Sequence, residues 1–427
     1  MKSLLFLVLL CLFRINKLGI CLEEEARKAN NGVGRPGFTS VTSFGAIGDG
    51  KTDDTKAFLK AWEAVCKGGS RGNTKILVPQ WKTFMLKPLA FVGPCTSSSI
   101  SFMIKGNLVA PSYTWYAGRY PTWINFDSIN GLVVTGGGTI DGRGSLWWGN
   151  VNKRPSVSPF ARPPTLKYIN LGQIVYHPRS HVGLSCSKNI EVSGLRMTAP
   201  GDSPNTDGID ISNCKKVNIH GSVIATGDDC IAINSGSSDI NITGIFCGPG
   251  HGISVGSLGL NGDFATVEEV RVKNCTFTNT QNGVRIKTYQ NGSGYARKIS
   301  FMDINMVASE NPIIIDQSYH NGRTNRGKGK SSNKYQNCHF AKPKSQTGNG
   351  KGVKVSDVRY TRIHGSSASD QAITLNCDAD LGCVGIVMDN VNMNSSTTGH
   401  KVFASCKNAD GSFYDSKVTC LKKYYHL

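Results

Sequence analysis

The sequence predicts an all-β chain folded as a single parallel β-helix, a solenoid, with a short capping helix near its N-terminus. Three observations lead there. The segments DGIDIS, DDCIAIN, GHGISVG and NGVRIKT repeat one pattern of glycine and β-branched residues, with Ile209, Ile231 and Ile253 spaced 22 residues apart and Val284 31 further on. A second strand series, IEV at 190, VNI at 217, INI at 240, VRV at 270 and ISF at 299, runs beside the first. Apolar alternation without helical intervals then argues against an α/β sheet, and Asn, Ser and Gly between the strands suit turns. Length alone would allow 427 residues to form two domains, but one continuous repeat makes one.

In chain order, Lys2 precedes a ten-residue apolar run from Leu4 to Phe13. That run is too short to span a bilayer and reads as the core of a signal peptide, residues 1–21, cut near Gly19 to Cys21. Residues 22–427 are then the mature β-helix domain. A first strand is expected near Thr39 to Phe44, followed by the turn-rich GAIGDGKTDD. Thr52 to Lys67 carries Phe58, Trp62 and Val65 at helical spacing, with Asp53 and Asp54 suited to a first turn. This helix would cover the open end of the solenoid. Strands follow at Lys75 to Val78, Thr83 to Pro88 and Ser99 to Leu108, and the regular coils begin with Ile124 to Gly136 and Gly138 to Asp141. Trp147-Trp148 and the Pro-rich Asn150 to Pro164 are read as loops. The last coils hold PIIID at 312, VKVSDV at 353, AITLN at 372 and VGIVM at 384, with a basic insertion from Asn321 to Lys344.

Of fourteen cysteines, Cys11 and Cys21 belong to the leader. Local closeness favours Cys66 with Cys95, Cys230 with Cys247, Cys377 with Cys383 and Cys406 with Cys420, in an oxidising compartment. Cys186, Cys214, Cys275 and Cys338 stay unassigned, buried thiols being the plain reading of the first three. Sequons at Asn241, Asn274, Asn291 and Asn394 fit a secreted glycoprotein. The net charge of +19, three of its cations lying in the leader, calls for an anionic partner. Nucleic acid is set aside because the cations are dispersed and no nucleic-acid motif is present. An acidic polysaccharide outside the cell fits better.

Stacked coils would bring Asp207, Asp228, Asp229 and His251 onto one face, with Arg285 and Lys287 two apart on the next coil. Singly, an Asp at a corner serves a turn, and a His between glycines caps one. Together, ionic groups gathered on a solenoid face cost stability and point to function. Carboxylates across a groove can hydrolyse a glycoside: one, its pKa raised by its neighbours, protonates the leaving oxygen while another deprotonates water. Arg285 and Lys287 suit a substrate carboxylate. The same residue types could serve a uronate lyase with Ca2+, or a catalytically silent polysaccharide-binding protein.

The motifs NTDG at 205, GDDC at 227, GHGISVGSLG at 250 and RIK at 285 resemble, in order and spacing, the four signatures of the polygalacturonases, glycoside hydrolase family 28. The flanking SPNTDGIDI and SENPIIIDQ look like the plant branch. The resemblance implies a right-handed parallel β-helix, secreted to the cell wall, that cleaves the α-1,4-galacturonosidic bonds of pectin with inversion, without metal or cofactor. It decides against the lyase. It gives Asp228 the proton-donor role, Asp207 and Asp229 the activation of water, and His251 the support of the acid. Arg285 and Lys287 match the pair that grips the galacturonate carboxylate, while Asn205 and Tyr319 match substrate-side residues. It implies a monomer with homogalacturonan as partner and no membrane association after leader cleavage. His320 departs from the plant pattern, which has cysteine after the tyrosine, and YHPRSHVGLS from Tyr176 is less regular than its equivalent. Lys287→Ala is expected to weaken galacturonan binding with little change in stability.

Overall fold

The computed structural model describes residues 38–68, 74–97, 99–114, 123–127, 132–148, 173–175, 180–185, 188–320 and 351–423. The signal segment, the Asn150 to Pro164 loop, the basic insertion, residues 176–179, Cys186 and Cys338 lie outside the described residues.

Every strand pairing among the described residues is parallel, and the spacing of Ile209, Ile231 and Ile253 is the reason. Ile209 pairs with Ile231, Ile231 with Ile253, Ile253 with Val284, Val284 with Ile313 and Ile313 with Ile373. Each is sealed from solvent. The second series stacks likewise: Ile190, Val217, Ile240, Val270, Ile299 and Val358 are successive partners, and all are buried. The two ladders face each other across one continuous core. Burying each Ile or Val stabilises the fold by about 1.5–3 kcal/mol. No coil can do this alone, because its apolar edge is covered only by the coils above and below.

The coils build a 15-stranded sheet and an 8-stranded sheet, the latter running from Val182–Ser185 to Phe403–Lys407. Strands of the long sheet reach 17 residues, in Ser293–Ser309, because they bend without ending. One bend is a stack of left-handed residues at Lys216, Asp239, Glu269, Lys298 and Asp357, with φ between +53° and +58°. The second stacks Gly221, Gly244, Asn274, Asp303, Arg362 and Asn390. These bends wrap one strand around the core and make each coil a closed cross-section.

The helix spans Thr55–Lys67 and buries Phe58, Trp62 and Val65 over the end of the core. The Trp62 indole donates to the Val92 carbonyl at 3.1 Å, and Phe58 meets Phe84 edge to face. It starts three residues later than expected, because Asp49–Asp53 is drawn into the long sheet by Thr83–Met85. Asp54 accepts from Ile47 N and Gly48 N rather than from the helix. Other boundaries are corrected similarly. Thr39–Ser40 is a strand that passes into a 3-10 turn at Val41–Phe44, and the stretch from 99 to 108 is two strands, Ile100–Ile104 and Asn107–Val109, parted at a coil corner. The disulfides Cys66–Cys95, Cys230–Cys247, Cys377–Cys383 and Cys406–Cys420 are present as expected, Cys275 is buried as a thiol, and Cys214 is buried.

Candidate active site

Each coil leaves the long sheet, turns, and enters the 8-stranded sheet. Asp207 stands in the turn before Ile209–Ser212, and Asp228 and Asp229 in the turn between Lys215–Ala225 and Ile231–Ile233. His251 precedes Ile253–Leu258, and Arg285 and Lys287 lie within Asn282–Thr288. The turns are tight enough to exclude a side chain at two motif glycines. A Cβ on Gly227 would stand 2.1 Å from the Ser203 carbonyl, and Gly252 has φ +82° with the Asn282 carbonyl 2.2 Å from where a Cβ would be. Backbone hydrogen bonds then lock the turns together: His251 N donates to Asp228 O at 2.8 Å and Gly208 N to Asp229 O at 2.9 Å.

The adjacent aspartates meet opposite environments. Asp228 keeps 24% of its side chain exposed and holds the half-buried His251, whose Nδ1 is 3.0 Å from Asp228 Oδ1. Asp229 is 1% exposed, and both its oxygens are taken. Arg285 Nη2 donates to Oδ1 at 2.6 Å and Lys287 Nζ to Oδ2 at 2.7 Å. Ser254 Oγ donates to Oδ1 at 2.7 Å and accepts from Arg285 Nε at 2.9 Å. Burial opposes ionisation of Asp229, but the charges of Lys287 and Arg285 outweigh it and its pKa is lowered. Burial likewise works against the Lys287 ammonium, and Asp229 outweighs it, so that its pKa is raised.

Asp207 goes the other way. Burial, then the charges of Asp210, Asp228 and Asp229, raise its carboxyl well above the ordinary range despite Lys287. The carboxyl that is raised is Asp207, to which the resemblance gives the activation of water, and burial is the larger cause with crowding behind it. His181 is buried directly beneath: its N–H donates to the Asp207 carbonyl at 2.8 Å, its Nδ1 is 3.0 Å from the same oxygen, and burial lowers its pKa to about 4. Tyr319 places its ring centroid 5.3 Å from Lys287 Nζ and meets Tyr289 edge to face, also at 5.3 Å. Burial raises the Tyr319 phenol against the opposing charges of Lys287 and Arg285. Asn205 is exposed at the rim, in the left-handed conformation at φ +56°.

Donor atoms of Asp228, Asp229 and His251 lie within 4.8 Å of one another, a spacing a cation could bridge. The donor set does not suit one, because both oxygens of Asp229 already accept from cationic groups. What the arrangement can do is acid-base chemistry: a half-exposed carboxyl held by an imidazole, a second carboxyl biased towards its protonated form, and a third held ionised among cations.

Residues 68–420 match the family described as Glycosyl hydrolases family 28. The chain belongs to glycosyl hydrolase family 28. It is 44% identical to a probable polygalacturonase of Arabidopsis thaliana over 87% of this chain and 77% of that one. It is 36% identical to an exopolygalacturonase of Zea mays over 96% of both. Its fold matches the crystal structure of an endo-xylogalacturonan hydrolase from Aspergillus tubingensis with TM-score 0.70 and 23% identity, over 91% of this chain and 99% of that one. The architecture is the right-handed parallel β-helix of family 28.

In this family 28 chain the structure corrects one expectation and adds residues that sequence reasoning passed over. Lys287 is 8% exposed and its first partner is Asp229, so its removal would leave a buried carboxylate short of a cation, against the expectation of little change in stability. Ser254, quoted within GHGISVG but given no part, is the hub of the cluster. The signal was available: Ser254 pairs with Arg285 in register when Ile253 is aligned with Val284. Asp210, which raises Asp207, lies on the same line through Ala232 to Ser254. Tyr289 stands two residues after the RIK motif and carried no such signal.

Proposed function

We propose that this chain is a secreted polygalacturonase that hydrolyses the α-1,4 bonds of polygalacturonate with inversion. The observation that carries the reading is the half-exposed Asp228–His251 pair set beside the buried Asp229–Arg285–Lys287 cluster in one groove. Asp228 protonates the glycosidic oxygen as the bond to the anomeric carbon breaks, and His251 orients its carboxyl. A water on the opposite face of the sugar loses its proton to Asp207 or Asp229 and attacks that carbon. Arg285 and Lys287 neutralise the galacturonate carboxylate, which they share with Asp229. Arg285 Nη1 makes no hydrogen bond among the described residues and is a donor for that contact. Asn205 and Tyr319 flank the sugar. The polygalacturonase relatives, the cation cluster and the positive net charge support this substrate.

A second reading of the roles follows from the placement of Asp207 against Asp210, Asp228 and Asp229, whose charges together with burial favour its protonated form. There Asp207 is the proton donor, and Asp228, oriented by His251, draws the proton from water.

The first experiment follows reducing ends, viscosity and the absorbance of unsaturated uronate together on polygalacturonate. Reducing ends without the unsaturated chromophore support hydrolysis, and an early fall in viscosity marks internal cleavage. The chromophore indicates a lyase, and no product from folded protein indicates a binding protein. Asp228→Asn is expected to lower kcat at least about a hundredfold with the fold intact. An oligogalacturonide carrying an acidic phenol as leaving group then separates the readings: it restores turnover to whichever of Asp228→Asn and Asp207→Asn has lost the proton donor.

A further inference from the structure

The turn that carries Asp207 is held from the coils on both sides. In the peptide group joining Asp207 to Gly208, the Gly208 N–H donates to the Asp229 carbonyl at 2.9 Å, and the Asp207 carbonyl accepts from His181 N at 2.8 Å. Parallel stacking accounts for these two bonds, as it does for Val182 N to the Gly208 carbonyl at 2.9 Å. The Asp207 carbonyl has one neighbour more, since His181 Nδ1 lies 3.0 Å from the same oxygen. Val182, Ile209, Ile231 and Ile253 are successive register partners, so the residues before them, His181, Gly208, Cys230 and Gly252, share one column. A Cβ on Gly208 would stand 2.4 Å from the Cys230 carbonyl, and Gly252 is as tight, so the glycines exclude a ring where the coil of His181 admits one.

A polar ring is costly in this place. His181 is fully buried and reaches neither the groove nor solvent, and burying an imidazole is unfavourable unless its hydrogen bonds are met. A carbonyl oxygen accepts and never donates, so Nδ1 carries the hydrogen that faces Asp207. Burial, against the carbonyls of Asp207 and Thr198, lowers the pKa of the ring to about 4, so that it stands neutral at neutral pH. Two donors on its oxygen and one acceptor on its N–H fix the plane of the Asp207–Gly208 peptide, and with it the direction in which the Asp207 side chain leaves the turn. That direction matters because the carboxyl stands within the fields of Asp210, Asp228 and Asp229. A displacement of about 1 Å in a reacting group can cost about a hundredfold in rate.

We propose that His181 is a positioning residue for the hydrolytic reaction: its Nδ1–H, together with its backbone N–H, clamps the peptide after Asp207 and holds the Asp207 carboxyl in its place beside Asp228. The inference rests on the polygalacturonase reading, and it is the same whether Asp207 activates water or donates the proton.

The test compares three substitutions. His181→Asn places an amide N–H where Nδ1 stands, His181→Gln carries it out to the position of Nε2, and His181→Phe fills the space of the ring without a donor. For each variant kcat and KM on polygalacturonate are measured, together with urea unfolding and a crystal structure. His181→Phe and His181→Gln are expected to lower kcat about a hundredfold with KM unchanged and to move the Asp207 carboxyl by about 1 Å, while His181→Asn stays close to the unsubstituted protein in both respects. If one of the first two fails to fold, the other against His181→Asn decides. The clamp is overturned by a His181→Asn variant as impaired as His181→Phe, by an unchanged kcat in His181→Phe, or by a rise in KM in place of the fall in kcat. Loss of the folded state in both His181→Phe and His181→Gln overturns it too, since the ring is then a structural part alone. If the unsubstituted protein releases no reducing ends, the hydrolase reading falls and the crystal structures decide by themselves: an Asp207 carboxyl displaced in His181→Phe and not in His181→Asn keeps the clamp, and one that stays in place removes it.

Discussion

Arg285 and Asp229 are 56 residues apart in the chain and 2.6 Å apart in space, both almost wholly buried. The pair spans three coils, so it exists only when they are stacked in register. Arg285→Ala leaves Asp229 buried with one cation in place of two, and is expected to destabilise the protein by about 3–5 kcal/mol, read from urea unfolding at neutral pH. The pH dependence has a definite sign. The folded pKa of Asp229 lies below its unfolded value. Its contribution is therefore full above the ordinary carboxylate range and lost as pH falls through the lowered folded value. The difference between wild type and Arg285→Ala should shrink on acidification; an unchanged difference would count against the pair.

Asp207 predicts the opposite slope. Its folded pKa is raised, so the folded state binds the extra proton, and stability falls as pH rises from the unfolded carboxylate pKa to the folded one. Asp207→Asn removes that penalty. It should raise Tm by about one degree at neutral pH, about 1 kcal/mol, while removing activity. A lower Tm in the variant would show that the charged carboxylate is stabilising where it stands.

Ser254→Ala deprives Asp229 Oδ1 of one donor and Arg285 Nε of its acceptor. Leaving these buried groups unmet should cost about 1–3 kcal/mol. Because Ser254 acts through Arg285, KM for polygalacturonate should rise more than kcat falls. A fall in kcat alone would place its effect on the reacting groups instead.

Ile253 sits in the middle of the inward ladder between Ile231 and Val284 and is fully buried. Ile253→Ala opens a cavity directly under His251 and is expected to cost about 2–5 kcal/mol in denaturant unfolding. If the loss is below about 0.5 kcal/mol, the neighbouring coils have collapsed into the space.

Much of the coil was legible because its signal is periodic. Ile209, Ile231, Ile253 and Val284 announce their own alignment, and the second series confirms it one sheet away. Boundaries were less legible. The bends at Lys216 and Glu269 occur inside strands, at residues whose types do not ask for a left-handed backbone, so only the short segments VNI at 217 and VRV at 270 were legible of strands that continue through the corners. The helix start was misplaced because Asp49–Asp53 is a strand only by virtue of its partner 34 residues away.

By itself the sequence determined the stacking and the members of the charged cluster. A 22-residue unit whose apolar face is covered only by its neighbours has few ways to fold, and its motif positions must then lie in line. What only the tertiary structure decided is the division of labour among like residues. Asp228 and Asp229 are adjacent and chemically the same, yet one keeps 24% of its surface beside His251 and the other 1% among Arg285, Lys287 and Ser254. Consecutive side chains leave the turn on different sides, and the environment on each side is built by coils 23 to 58 residues away. Burial and charge at those distances set which carboxyl holds its proton, and no local pattern carries that information.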